Sequence, residues 1–193
     1  MDTLIRPIIT LHGVTNGVLA TSISDLTDQS AKARSRSGAG PSIAWTIGHL
    51  CHYKIKMLGL LGLQRENPFA AQFDDRPASD GADYPSLPDL AASFSALNDD
   101  LCAALASSGD RLDAPIPGKG PHDEKRIVDT ILFLTWHEAY HIGVIGAIRR
   151  DQGRKAIASR EGIVANADAR RFDRLSARVN RRGQLSLTPI GIA

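Results

Sequence analysis

The sequence predicts an all-α protein, a four-helix bundle that ends in an irregular or disordered basic C-terminal tail. Three observations predict it. Four segments carry apolar residues at helical spacing, and the gaps between them are rich in Pro, Gly, Ser and Asp. No alternating pattern longer than a few residues appears before the tail. Helices of four to seven turns with such gaps suit a bundle, and the long second gap permits either antiparallel neighbours or a crossover. At 193 residues, 42% apolar and 23% charged, the chain suits one globular domain. Residues 1–157 are assigned to the bundle and 158–193 to the tail.

The first helix is read over Thr3 to Thr21, with Leu4, Ile8, Leu11 and Val18 at near-heptad spacing. Ser24, Asp25 and Asp28 then offer turn and cap chemistry, and the run Ser35 to Gly40 reads as a loop. Pro41-Ser42 opens the second helix, which runs to about Leu63. The connection from Gln64 to Ser86 holds five acids and prolines at 68, 77 and 85, so Asp74 to Tyr84 reads as loop. The third helix begins at Pro88-Asp89 and carries Leu90, Phe94, Leu97, Leu101 and Leu105 to about Ser107. A Pro/Gly linker follows over Pro115 to Pro121. The fourth helix spans Glu124 to Arg150, with Asp123 and Glu124 at its start and Arg149-Arg150 at its end, as the helix dipole favours.

The net charge of +2 excludes the footprint of a nucleic-acid binder. From Ala158 onward seven Arg stand against three acids, so the excess lies in the tail. The N-terminus has no basic, apolar leader, and no apolar run is read as reaching the roughly 20 residues of a membrane helix. The expectation is a cytoplasmic protein. Cys51 and Cys102 are read as free thiols, and their spacing supports neither a zinc ribbon nor a thioredoxin motif.

The chemistry lies in Thr135-Trp136-His137-Glu138-Ala139-Tyr140-His141. On a helix His137 and His141 point about 40° apart, so two imidazoles share one face a turn apart. Phe133, Val144 and Ile148 fall on the same side, which places the histidines on the apolar stripe facing the core. Two buried imidazoles without a partner are costly, and a shared metal ion removes that cost. A third ligand comes from the second helix, where His49 stands between Trp45 and Tyr53 and is favoured over His52. That helix is apolar nearly all round apart from Lys54 and Lys56, as if covered on two faces, one of them by a second subunit. His12 and His122 are read as ordinary packed or solvated residues.

The same residues spell H-E-x-x-H, the zinc-peptidase signature, in which the Glu activates a metal-bound water. The only Glu downstream is Glu161 at the edge of the tail, and no histidine follows His141. Two ligands in a bundle core are the better reading. Glu138 is kept as a candidate catalytic base beside that of a contact between helices. Tyr53 and Tyr140 are candidate substrate donors, with packing as the alternative.

Ser42 to Leu50, Trp136 to Gly143 and the acidic loop Asp80 to Ser86 resemble motifs of the DinB/YfiT-like proteins, over about Thr3 to Ala156. The resemblance implies an up-down-down-up bundle, often a homodimer, with one divalent ion, zinc or nickel, on His49, His137 and His141. It further implies a metal-dependent transferase using a low-molecular-weight thiol as cosubstrate on a small-molecule substrate, or a related hydrolase. A non-catalytic metal-binding or stress-related dimer is the alternative. Val144 stands where these proteins often carry Gln, three residues after the second helix-four histidine, a departure that bears on the reaction more than on the metal.

Overall fold

The computed structural model describes residues 2–74, 78–116, 125–156, 177–179 and 185–187. Four long helices dominate: α1 (Asp2–Ile23), α3 (Ile43–Leu60), α5 (Leu87–Ala106) and α6 (Ile127–Asp151), with short α2 (Asp28–Lys32) and α4 (Ala70–Phe73) in the first two connections. Single 3₁₀ turns lie at Arg36–Gly38 and Gly109–Asp113. The fold is therefore the all-α bundle expected. The helix starts follow local chemistry. Ser42 Oγ accepts from the Trp45 amide at 3.1 Å, and Ser86 Oγ from the Asp89 amide at 3.2 Å. Asp129 accepts from the Arg126 amide at 2.8 Å, so α6 starts at Ile127. The acids Asp123 and Glu124, and His122, lie outside the described residues.

The α1 and α3 helices each pack chiefly between α5 and α6, so helices consecutive along the chain do not form the main pairs, except α3 with α5. Crossing the bundle diagonal takes length, which the connections before α3 and before α6 supply. In α3, Ile43, Ala44, Ile47, Leu50, Cys51, Met57 and Leu58 are all at most 1% exposed. The α5, α6, α2 and α4 helices of the same chain surround it. Its all-round apolarity thus needs no second subunit.

The α6 helix is rotated from its expected setting. Its buried line is Ile131, Leu134, Thr135, Glu138, Ile142 and Ile145, whereas Phe133, Trp136 and Tyr140 are each more than half exposed. His137 and His141 therefore lie at the border of the core, with Glu138 at its centre. The helix is long and apolar enough to meet the length and composition of a membrane span, contrary to the reading of the sequence. Its place here is as a bundle helix carrying a buried ion pair.

Cys51 and Cys102 are not joined in a disulfide. In the tail, Ala177–Val179 and Leu185–Leu187 pair antiparallel with Arg178 opposite Ser186, within the stretch read as extended or disordered. The remaining tail residues from 157 onward lie outside the described residues.

Candidate metal centre

Three of the six histidines converge. His137 Nε2 lies 3.3 Å from His49 Nε2 and 3.1 Å from His141 Nε2, and the three ligand atoms all fall within 4.8 Å of one another. An ion held at about 2.0–2.1 Å by tetrahedral imidazoles would separate its nitrogens by about 3.3–3.4 Å. The two separations from His137 lie close to that edge. Bare imidazole nitrogens facing one another share too few protons to satisfy all three, whereas a cation between them uses every lone pair.

The ring of His49 is set from several sides. Its Nδ1–H donates to the Phe73 carbonyl at 2.8 Å, which leaves the Nε2 lone pair aimed at the cluster. Trp45, one turn earlier, stacks on the ring at 4.7 Å, and Tyr53, one turn later, meets it edge-on at 4.8 Å. Phe73 reaches this position because Gly48 has no side chain: a Cβ there would lie 2.6 Å from the Phe73 ring. Burial first, then the neighbouring rings of His137 and His49, hold His141 down to about 3, so its imidazole is neutral at physiological pH. All these features favour lone pairs available to a metal.

The other candidates separate cleanly. His52 faces the α3–α4 connection, 3.0 Å from Asp74 Oδ1 through Nε2, with Asn67 Nδ2 donating to its Nδ1 at 3.0 Å. It secures that connection and is not part of the triad. Tyr53 packs, its ring 4.8 Å from His137. Tyr140 is exposed and meets His141 edge-on at 5.2 Å, so it borders the cluster instead of filling an interface.

Glu138 is in a different place from the one its candidate role as a base requires. Its Oε2 lies 2.7 Å from Lys54 Nζ and 3.2 Å from His12 Nδ1, and its Oε1 accepts from the Thr15 hydroxyl. Lys54 also donates to Asn98 Oδ1 at 3.1 Å and sits 4.5 Å over the Phe94 ring. His12 Nε2 is 3.2 Å from Thr135 Oγ1, so His12, buried on the apolar side of α1, belongs to this network. The carboxyl is held near 2 despite burial that acts the other way, with Lys54 the largest of the opposing causes and His12 next. A carboxylate so engaged in the core is not the water-activating Glu of a peptidase. Sequence reasoning missed Lys54 and Phe73. The signals were a lysine in an otherwise apolar helix, and a mid-helix glycine beside the ligand.

Fold and site together define a class: an all-α bundle with a three-histidine cluster, supplied by two helices, that could hold a metal ion. The family model of the DinB superfamily matches residues 15–145, and the chain belongs to that superfamily, whose members are typically metal-binding helical proteins. The match includes all three histidines and omits the tail. No curated protein matches the chain.

Proposed function

We propose that His49, His137 and His141 hold one divalent transition-metal ion, zinc or nickel, and that the protein is a metal-dependent transferase using a low-molecular-weight thiol, with hydrolysis as the close variant. The convergence of three Nε2 atoms at 3.1 and 3.3 Å carries this reading. Support for an open site, as catalysis needs and a purely structural one does not, comes from the half-buried His137 and His141. A metal so held lowers the pKa of a bound water or thiol and supplies a nucleophile near neutral pH. The chain's own part is orientation. Phe73 and Trp45 set the His49 ring, while Phe133, Trp136 and Tyr140 form an aromatic border against which a small-molecule substrate would lie, with the Tyr140 hydroxyl as a donor.

A cytoplasmic location belongs to the same proposal and is supported by two cysteines that are not joined in a disulfide. The homodimer rests on the family resemblance, since α3 is covered within its own chain. Metal analysis of untagged protein tests the core of the reading: about one zinc or nickel per chain, lost in His49→Ala, is expected. Equal and substoichiometric metal in both would refute it. A thiol panel with a general electrophile tests the reaction. Turnover that chelation abolishes and metal restores is expected, and no metal-dependent turnover with any thiol would remove the transferase.

A further inference from the structure

The bundle core holds a polar network that the proposed chemistry does not use. Lys54 is 0% and Glu138 2% exposed, so both members of an ion pair have been taken fully out of water. Such a pair adds little net stability over apolar residues of similar volume, because desolvation offsets the attraction. What it adds is geometric demand. Apolar ridges tolerate sliding, whereas a buried charge held by particular donors has one position.

The location of the pair gives that demand a use. Lys54 lies on α3, the helix of His49; Glu138 lies on α6, next to His137 and three residues before His141. Any slip or rotation of α6 against α3 that separated the pair would move both α6 ligands away from His49 together. One residue of slip is about 1.5 Å, while metal–ligand distances tolerate only about 0.2 Å. The network also reaches the other two long helices. His12 and Thr15 of α1 hold the Glu138 carboxylate, and Asn98 of α5 holds the Lys54 ammonium.

We propose that Lys54 and Glu138 are positioning residues, a register pin that sets α6 against α3 and thereby brings the three histidine nitrogens to coordinating distance. The proposal rests on the metal-binding reading of the cluster. The Lys54→Met/Glu138→Leu double variant tests it, because it replaces the pair by apolar groups of similar volume and leaves no unpaired charge. Zinc affinity is measured by competition with a chromophoric chelator, the visible spectrum of the cobalt-loaded protein reports the ligand geometry, and the metal-free protein is melted alongside. Expected are a lowered melting temperature, because His12 and Asn98 lose buried partners, zinc binding about 10–100-fold weaker, on the scale of lost ligand support, and shifted cobalt bands in the protein that remains folded. Zinc affinity and cobalt spectrum equal to wild type would overturn the register pin and leave the metal site standing. Wild type and His49→Ala that alike fail to bind zinc would overturn both. If the double variant does not fold, Glu138→Gln decides, since it keeps the size of the side chain and removes the charge that Lys54 holds: a severalfold loss of zinc affinity with shifted cobalt bands supports the pin, and wild-type affinity and bands overturn it.

Discussion

Gly48→Ala separates support of the metal centre from support of the fold. In a helix interior the exchange ordinarily stabilises by about 1 kcal/mol. Here the added Cβ would stand 2.6 Å from Phe73 Cδ1 and Cε1 and 2.7 Å from Cγ, whereas ordinary contact begins at 3.4 Å. The ring must retreat by about 0.8 Å, and it is enclosed by Tyr84 at 4.8 Å and Phe69 at 6.0 Å. Overpacking of this kind costs about 1–3 kcal/mol, so the helix gain leaves a net loss of about 0–2 kcal/mol. The consequence for the metal is larger. If the Phe73 backbone follows its ring, the 2.8 Å bond from His49 Nδ1 stretches toward about 3.6 Å, beyond hydrogen-bonding range. Loss of such support to a ligand weakens metal binding about 10–100-fold. The assay pairs a zinc competition titration with a thermal melt of the metal-free protein. Gly59→Ala on the same helix is the control: its Cβ meets only Gln64 side-chain atoms, at 3.8 Å and beyond, and it should melt higher with unchanged zinc affinity. A Gly48→Ala protein that binds zinc like wild type, or melts higher like the control, would refute the reasoning.

Other perturbations follow from the same geometry. Glu138→Leu alone leaves the Lys54 ammonium buried without its counter-charge and should lower urea stability by about 3–5 kcal/mol, more than the double variant does. Asp25 is held at about 2, chiefly by the Arg149 hydrogen bond and then by Arg154. Its folded value lies below the unfolded one, so its stabilisation is present above about pH 4 and is lost as pH falls toward 2. Half-exposed and screened by solvent, it should make only a modest difference, seen as a flatter acid limb for Asp25→Asn in urea unfolding at pH 5 against pH 3. Burial raises the Cys51 thiol to about 12, so a thiol-alkylating reagent should label native Cys51 only after unfolding, with half-buried Cys102 labelled first. Mass mapping of the labelled peptides checks this.

The sequence by itself determined the four long helices, because apolar spacing and cap residues such as Ser42 and Ser86 act within a few residues of chain. It also placed His137 and His141 on one face, since a one-turn separation is a property of the helix alone. It could not orient α6. Apolar residues lie on more than one side of that helix, Phe133 and Trp136 as well as Ile131 and Ile145, so the stripe read from the sequence was not the buried one, and only packing against α1 and α3 put Glu138 inside and Trp136 outside. The same holds for contacts between distant segments. The Phe73 carbonyl on His49 joins residues 24 apart, and the Thr15–Glu138 bond residues 123 apart. No local pattern encodes such pairings; they follow from which helices end up adjacent. The tertiary structure thus decided that the Glu of the H-E-x-x-H run serves the core and not the metal, for a physical reason: once Lys54 is buried in α3, its charge needs a counter-charge at the same depth, and Glu138 supplies it.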